Sequence, residues 1–434
     1  MRVLVIGSGL GGLLSAACLL RAGHEVDVFE RLPITGGRFT NIEYKGFQLS
    51  TGALHMIPHG PTGPLGTLLR YLGSDVQIVR ADPMATIRIP IEKDSTDYTH
   101  GFQDIDFHDF GKRFSLLNKI KLTILITTTR IFPPKKGSMA DWCSKNLKDD
   151  WALRIADSFC GWALSLRAKD VPAAEVFEII ENMYRYSGSG IPLGGCKGVI
   201  DALIDVITSC GGKIHTSSEV SRIIIEDKKA VGIVTDDGKE HRGDIVISDI
   251  GHIETSRLYD ANMATEDMEK YLTSIKELKP SAGVKICLSS NEPLIGHAGV
   301  LLTPYARRIN GINEVTNIDP SLAPPGKHLT MAHQCVEWEN LDRLKDEIDL
   351  GLSDLAEIFA GKDYEVLLIQ SYSGEWPVNR ASSGTDPTNK TPFEGLYIVG
   401  DGAKGKGGIE VDGIALGVRN AIKDILNQKN QSID

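Results

Sequence analysis

Residues 3–12 of this 434-residue chain read Val-Leu-Val-Ile-Gly-Ser-Gly-Leu-Gly-Gly, and they decide the fold. The apolar run at the start shows no alternation, which predicts a short strand buried on both faces of a parallel sheet. A helical pattern follows the glycines and ends at Gly23, and Val26, Val28 and Glu30 then alternate as a second strand. The order strand, glycine turn, helix and strand predicts the first unit of a doubly wound α/β sheet.

The spacing Gly7-x-Gly9-x-x-Gly12 predicts a dinucleotide site. Gly7 permits the tight turn, Gly9 lets the backbone approach a pyrophosphate, and Gly12 lets helix and strand pack closely. The helix N-terminus offers free N–H groups and a positive dipole end to the phosphates. Glu30, at the end of the second strand, is placed to accept hydrogen bonds from both ribose hydroxyls and to repel a 2′-phosphate. The contact residues predicted in this segment are Gly7, Ser8, Gly9, Leu10, Gly11, Gly12, Glu30 and Arg31.

Two further glycine-rich stretches accompany the first. Gly36-Gly37-Arg38 follows the second strand, and the arginine suits a diphosphate because its charge is opposite. Gly395-Leu-Tyr-Ile-Val-Gly400-Asp401 repeats the pattern of a buried strand and a glycine, and a helix is predicted from about Gly413 to Leu426. Both stretches resemble elements of flavoproteins of the glutathione-reductase and amine-oxidase type. That resemblance implies FAD contacts from Gly36, Gly37, Arg38, Gly400, Asp401, Gly408, Ile409 and Asp412.

The whole chain resembles the phytoene desaturase and carotenoid isomerase branch of the flavin amine-oxidase superfamily. Beyond the three motifs, the resemblance is carried by Pro192-Leu-Gly-Gly195, by Val220 and by Glu375-Trp-Pro-Val-Asn-Arg380. It implies that the backbone of Val220 contacts adenine. It also implies that Gly52, Ala53 and Leu54 pass the isoalloxazine ring. The FAD is expected to be non-covalent, since the glycine-rich stretch 405–413 contains no cysteine.

The fold class that this resemblance implies is α/β, with a glutathione-reductase-type, Rossmann-like FAD-binding domain interleaved with a mixed α+β substrate domain. The FAD-binding domain is expected at residues 1–85, 186–270 and 380–434. The substrate domain is expected at residues 86–185 and 271–379. Within it, local patterns predict a β-like stretch at 104–110 and an amphipathic helix at 340–360.

Lys285 is the candidate catalytic residue. Amine-oxidase relatives carry a lysine in a substrate-domain strand that holds a water near flavin N5, and Gly283-Val-Lys-Ile-Cys287 resembles that strand. The alternative interpretation is a strand lysine exposed to solvent. His55 and His59 have helical spacing, but the prolines beside them oppose a regular helix and no third ligand is evident, so no metal site is predicted.

For the activity, the resemblance implies an FAD-dependent desaturase or dehydrogenase that moves a hydride from an apolar isoprenoid or polyene to flavin N5. Three alternatives stay open. Reduced flavin could isomerise or saturate a polyene. The substrate could be an amine or protoporphyrinogen, although the sequence does not reveal the aromatic pair that an amine oxidase requires. The chain could also be a prenyl-protein-binding module of the Rab GDP-dissociation-inhibitor type, which the intact glycine motif and Glu30 oppose. The sequence does not indicate which compound accepts the electrons from the reduced flavin.

Composition restricts the partners and the location. The net charge of −10 opposes nucleic acid as a partner, because such binding depends on neutralising phosphates. Scattered cysteines, no leader and no apolar run of membrane-spanning length predict a cytoplasmic protein. Residues 110–140 differ, since they mix apolar residues with cations and contain no Asp or Glu. This stretch is predicted either to contact an anionic membrane surface or to line the substrate domain. Its cations are Lys112, Arg113, Lys119, Lys121, Arg130, Lys135 and Lys136.

Overall fold

The computed structural model describes residues 1–52, 54–92, 94–132, 134, 136–186, 188–259, 266–374 and 387–427. Ala53 and the motif at 375–380 lie outside these described residues.

Strands form the framework of both halves of the molecule. They are β1 (Arg2–Ile6), β2 (Glu25–Phe29), β3 (Asn41–Tyr44), β4 (Phe47–Ser50), β5 (Ile78–Arg80), β6 (Ala85–Pro90), β7 (Phe102–Asp106), β8 (Gly190–Pro192), β9 (Lys213–His215), β10 (Val220–Glu226), β11 (Lys229–Thr235), β12 (Glu240–Arg242), β13 (Ile245–Ser248), β14 (Ala282–Ser290), β15 (Val300–Leu302), β16 (Gly311–Glu314), β17 (His328–Val336), β18 (Glu365–Tyr372) and β19 (Leu396–Ile398).

Helices cover the sheets and supply most of the long connections. They are α1 (Leu10–Arg21), α2 (Pro64–Tyr71), α3 (Leu116–Ile131), α4 (Met139–Asn146), α5 (Asp150–Leu164), α6 (Ala173–Tyr186), α7 (Gly195–Ser209), α8 (Gly251–Ser256), α9 (Glu266–Lys276), α10 (Leu344–Ile358) and α11 (Glu410–Asn427).

A parallel sheet in the order β19-β13-β1-β2-β9 carries the glycine motifs. Strand β1 lies at its centre, and its side chains alternate between two buried faces. Val3 and Val5 join a core with α1, α7 and α11, whereas Leu4 and Ile6 join a core with strands β10 and β11. Burial on both faces is the physical reason why β1 has no polar position after Arg2.

A second, mixed sheet has the order β18-β14-β17-β16-β15-β6-β7. Its pairs are antiparallel except for β15 with β6. Every residue of β14 is buried, and α5 packs close to β15, β16 and β17. The strands of the first sheet fall in the segments expected for the FAD-binding domain. Apart from β6, which begins at Ala85, those of the second fall in the segments expected for the substrate domain. The parallel sheet, the mixed sheet and the helices that cover them confirm the predicted α/β fold class.

Three boundaries differ from the sequence predictions. The stretch expected to be β-like at 104–110 is β7 followed by a 3₁₀ turn, Phe107–Arg113, whose first turn is capped by the Asp106 side chain. The helix expected at 340–360 begins as a 3₁₀ turn and becomes α-helical only at Leu344. Helix α11 begins at Glu410, before Gly413, and carries two carboxylates in its first turn, where the helix dipole favours them.

Helix α3 has an unusual surface. Leu122 and Leu125 pack on the core, while Leu116, Leu117 and Ile120 are exposed. Among the residues described, no helix combines the length and the apolar character needed to cross a bilayer.

Candidate active site

The glycine motifs meet at the carboxyl edge of the parallel sheet. Strands β19, β13 and β1 are neighbours, so the turns after them converge, which is the usual ligand position in such sheets. Gly7 has φ +91°, a left-handed conformation that favours glycine, and Gly9 is the N-cap of α1. The N–H of Gly36 donates to the carbonyl of Ser8 at 2.8 Å. The second motif therefore lies directly against the first.

Close backbone packing explains two of the glycines. A Cβ atom on Gly12 would lie 2.3 Å from the carbonyl oxygen of Gly7, so α1 packs on the turn only without a side chain there. A Cβ atom on Gly11 would lie 2.6 Å from the backbone nitrogen of Gly400. The first and third motifs are thus in contact although they lie at opposite ends of the chain.

Glu30 is buried at the end of β2 and organises the first turn. One carboxylate oxygen accepts hydrogen bonds from the N–H and the hydroxyl of Ser8, at 2.9 and 2.8 Å. The other accepts from the N–H of Leu32 at 2.9 Å. A carboxylate oxygen can accept two bonds. The oxygen bonded to Leu32 can therefore accept a second hydrogen bond from a ligand hydroxyl. The oxygen bonded to Ser8 can do so as well if the Ser8 hydroxyl rotates away from it.

Arg38 and Asp401 form an ion pair that joins the second and third motifs. The pair uses Oδ2 of Asp401, while Oδ1 is buried and has no hydrogen-bond partner among the described residues. A buried carboxylate oxygen without a partner is unfavourable unless a ligand donates to it. This atom, together with the glycine cradle, fits a ligand that brings hydroxyl groups and a diphosphate.

A cavity of about 500 Å³ runs past these motifs into the second sheet. Its size is typical of small-molecule and cofactor sites. The predicted residues on its wall are Gly7, Gly9, Leu10, Gly11, Glu30, Arg31, Gly36, Gly37, Arg38, Gly52, Leu54, Val220, Asp401 and Ile409. Ser8, Gly12, Gly400 and Gly408 are not on this wall. The first three contact residues that are: Ser8 bonds to Glu30, Gly12 packs on Gly7, and Gly400 packs on Gly11.

Asp412 does not lie on the cavity. It is fully buried, and its two carboxylate oxygens accept hydrogen bonds from the N–H groups of His59 and Leu65, both at 2.9 Å. Burial raises its pKa to about 7. Asp412 therefore ties the start of α11 to His59 and to the first turn of α2, and the motif position is occupied by a supporting residue.

Asp249, which the sequence motifs missed, lies between the first and third motifs. Its carboxylate packs against Gly9 and Gly11, and it lines the cavity. Burial raises its pKa to about 7, although a hydrogen bond from Gly12 and the charge of Arg38 act in the opposite direction. A signal was nevertheless present in the sequence, since Asp249 directly follows the apolar run of β13, and parallel strands end at one edge of a sheet.

Lys285 is buried, with only 1% of its surface exposed, so the interpretation of a solvent-exposed strand lysine is wrong. Its Nζ donates to the carbonyl and the hydroxyl of Ser50, both at 2.6 Å. Burial lowers its pKa. Lys285 is not among the described residues on the cavity wall, and it holds the end of β4, which leads to Gly52.

His55 and His59, which have helical spacing in the sequence, are both buried. The Nδ1 of His55 accepts from the N–H of Cys196 at 3.0 Å, and its Nε2 faces the carbonyl of Gln48 at 2.8 Å, which defines a neutral tautomer. Burial lowers the pKa of each histidine to about 4. Within the described residues, no group of three or more His, Cys, Asp or Glu side chains is arranged to hold a metal ion.

The end of the cavity nearest the second sheet contains residues that no motif revealed. Trp162 and Ala163 come from α5, and Ser165 follows that helix. His333 from β17 and Tyr372 from β18 also line this end of the cavity. These residues come from three distant parts of the chain, so spacing carried no signal for them. Trp162 and Tyr372 supply two aromatic side chains where the sequence revealed none.

The fold and the glycine-lined cavity are those of a dinucleotide-binding protein. The chain matches the family described as flavin-containing amine oxidoreductase over residues 10–419, and it belongs to that family. Its cofactor is FAD, and it is an FAD-dependent oxidoreductase, as predicted.

Solved structures resemble the chain closely. An oxidoreductase from Methanosarcina mazei is 60% identical, with a TM-score of 0.95 over 97% of this chain and 100% of that one. A putrescine oxidase variant is 15% identical with a TM-score of 0.74 over 99% of both chains, which shows a shared fold alone.

Curated relatives include an uncharacterized protein from Methanocaldococcus jannaschii, 45% identical over 98% of this chain and 99% of that protein. Prolycopene isomerase 1 from an Oncidium hybrid is 26% identical over 92% of this chain and 79% of that protein. A neurosporene-forming phytoene desaturase from Rhodobacter capsulatus is 28% identical over 58% of this chain and 53% of that protein. These relatives confirm the resemblance to the desaturase and isomerase branch.

Proposed function

We propose that FAD lies extended along the cavity, held by the residues that the motifs predicted. The ribose of the adenosine half would bind Glu30, with the adenine against the backbone of Val220. The pyrophosphate would lie at the N-terminus of α1, opposite Arg38, and the ribityl hydroxyls would donate to Asp401. The observation that carries this proposal is the buried Oδ1 of Asp401, since a ligand hydroxyl would satisfy it.

We propose further that the reaction is a desaturation, in which an elongated and largely apolar substrate loses a hydride from one carbon and a proton, released to solvent, from the adjacent carbon. Bound FAD supplies the two-electron acceptor for this chemistry. The chain's own part is to bind the substrate, orient it and exclude water. Leu54, Met56, Trp162 and Ala163 line the cavity with apolar surface suited to an isoprenoid or polyene.

Polyene isomerisation with reduced flavin is the second candidate. One observation favours it: the prolycopene isomerase similarity extends over 92% of this chain, whereas the phytoene desaturase similarity covers 58%. The two reactions differ in redox outcome. Desaturation leaves the flavin reduced after one turnover, while isomerisation leaves its redox state unchanged.

Flavin absorption tests the proposal. The purified protein should be yellow and should release free FAD on heat denaturation. Under anaerobic conditions, a polyene substrate should bleach the oxidised flavin, while amine and protoporphyrinogen substrates should leave it oxidised. A colourless protein that takes up no added FAD would contradict cofactor binding in this cavity. Bleaching by an amine alone would replace the proposed substrate class.

We also propose that α3 contacts an anionic membrane surface, where apolar substrates dissolve. Leu116 and Leu117 are 74% and 80% exposed, and Ile120, Ile124 and Phe132 are also exposed. Lys119 and Lys121 lie on the same helix. Apolar side chains beside cations are the pattern of helices that lie in the membrane interface.

Liposome co-sedimentation tests this contact. Vesicles with anionic lipid should retain the protein, and the double variant Leu117→Asn/Lys121→Glu should remain in the supernatant. Reversal of an exposed charge on α11, Lys423→Glu, is the matched control and should sediment like the wild type. Equal recovery of the wild type with and without anionic lipid would exclude the contact.

A further inference from the structure

A triangle of two hydroxyls and one imidazole, from Ser165, Tyr372 and His333, lies in the cavity wall at the end nearest the second sheet. The Ser165 hydroxyl lies 2.8 Å from the Tyr372 hydroxyl and 3.4 Å from Nε2 of His333. Tyr372 and His333 are themselves hydrogen-bonded. All three residues line the cavity, and Ser165 and His333 are only 6% and 7% exposed. Desaturation of a pure hydrocarbon would not require these polar groups.

Local structure is adapted to hold this triangle. Ser165 adopts φ +55° at the end of α5, a left-handed conformation that is uncommon for a residue with a side chain. A Cβ atom on Gly283, the register partner of Tyr372, would lie 2.4 Å from the tyrosine oxygen. Backbone strain of the kind seen at Ser165 is concentrated at functional sites. The absence of a side chain at Gly283 leaves room for the tyrosine hydroxyl.

We propose that Ser165, His333 and Tyr372 form a subsite that binds one neutral oxygen-bearing group, a hydroxyl or carbonyl, on the otherwise apolar substrate. This inference rests on the proposed function and narrows its substrate class. The hydroxyl protons of Ser165 and Tyr372 can rotate, and His333 can donate or accept depending on its tautomer. The triangle can therefore either donate to or accept from the oxygen of the ligand.

Charge supports a neutral group over an anionic one. Among the described residues that line the cavity, the cations are Arg31, Arg38 and Arg257, and all three belong to the dinucleotide-binding segments. The triangle itself contains no lysine or arginine. A phosphate or carboxylate headgroup would therefore lose its hydration without gaining a charged partner.

Equilibrium binding to the FAD-loaded protein tests the subsite without requiring turnover. The probes are geranylgeraniol, the hydrocarbon with the same skeleton and no hydroxyl, and geranylgeranylamine, each in the same detergent. Dissociation constants come from the difference spectrum of the oxidised flavin. We expect the alcohol to bind about tenfold more tightly than the hydrocarbon, the scale of one hydrogen bond made in a dry site.

Two variants assign this preference to the triangle. Tyr372→Phe and Ser165→Gly should reduce the preference for the alcohol to near unity, with FAD content and hydrocarbon affinity unchanged. Glycine is chosen at 165 because it tolerates the left-handed backbone. Tyr364→Phe is the matched control, since Tyr364 packs on Phe359 outside the cavity wall, and it should keep the wild-type preference.

Several results would overturn the subsite. They are equal binding of alcohol and hydrocarbon to the wild type, absence of binding by both, tighter binding of the amine, or a preference that survives in Tyr372→Phe. Failure of the proposed function is a separate result. It would show as probes that bind with the expected preference while no apolar substrate bleaches the flavin under anaerobic conditions.

Discussion

Asp249 lies so close to Gly9 that a Cβ atom added to Gly9 would stand 2.4 Å from Oδ2 of Asp249. This places a carboxyl group at the N-terminus of α1, where a diphosphate is expected to bind. An ionised carboxylate would repel the diphosphate, whereas a protonated one can donate a hydrogen bond to it. The raised pKa of Asp249, about 7, allows either state near neutral pH.

FAD affinity should therefore fall as the pH rises above 7. Bound diphosphate should raise the pKa of Asp249 further, because a second negative charge nearby favours the protonated form. A further rise of one unit would weaken FAD binding about tenfold once the pH exceeds both pKa values. Glu30 acts in the same direction and Arg38 in the opposite one. Titration of the apoprotein with FAD between pH 6 and 9 measures the slope of FAD affinity against pH.

Asp249→Asn should remove that slope and bind FAD more tightly than the wild type at pH 8.5. Asp363→Asn, an exposed position, is the control and should keep the wild-type slope. If Asp249→Asn retained the full pH dependence, another group would have to be responsible for it.

Gly12→Ala should abolish FAD retention. The added Cβ atom would lie 2.3 Å from the carbonyl oxygen of Gly7, and that atom belongs to a turn that cannot move without displacing β1 from α1. We expect the ratio of bound flavin to protein to fall at least tenfold and the melting temperature to drop. Gly111→Ala is the matched control because no atom lies within 4 Å of its added Cβ. Retention of FAD by Gly12→Ala would show that the turn can relax.

The cofactor half of the molecule was predictable because its residues act through local backbone geometry. Gly7, Gly9 and Gly12 are required by a turn whose shape repeats wherever a strand leads into a helix over a diphosphate. Glu30 follows from the length of the next strand. Asp401 could be assigned only through resemblance, since its pairing with Arg38 joins residues from opposite ends of the chain.

The substrate half could not be predicted in the same way. Ser165, His333 and Tyr372 meet because α5 packs on a sheet whose strands are ordered β18-β14-β17, and strand order is not encoded in local spacing. Asp412 is the opposite case, because there a sequence motif led us to expect a contact with the cofactor. It stands in a motif, yet its contacts are to backbone N–H groups of another segment.

Glu30→Gln should weaken FAD binding about tenfold to hundredfold, the range expected when hydrogen bonds to a charged acceptor are lost. Glutamine keeps one acceptor oxygen, but its NH₂ group would face a backbone N–H, either that of Ser8 or that of Leu32. Isothermal titration with FAD measures the effect. Glu25→Gln, at the exposed start of the same strand, should bind FAD like the wild type. Equal affinities for the two variants would contradict a role of Glu30 at the ribose.

Lys285→Met separates a supporting role of Lys285 from a catalytic one. Burial lowers the pKa of Lys285, so the folded state disfavours the charged amine, which the unfolded chain carries up to about pH 10.4. The wild type should therefore gain stability as the pH rises through the lowered pKa of Lys285 towards that value. Lys285→Met should lose this gain, and Lys362→Met, on an exposed side chain, should retain it. Denaturant unfolding at pH 7, 8.5 and 10 measures both.

The rate of anaerobic flavin reduction by substrate decides the catalytic question. Because Lys285 bonds to Ser50 and does not line the described cavity, we expect Lys285→Met to change this rate by less than about threefold once FAD is bound, since threefold is under 1 kcal/mol in the barrier. A loss of about a hundredfold with unchanged FAD content would mean that the amine, or a water held by it, reaches the flavin. The supporting contact with Ser50 would then be the resting state of a catalytic residue.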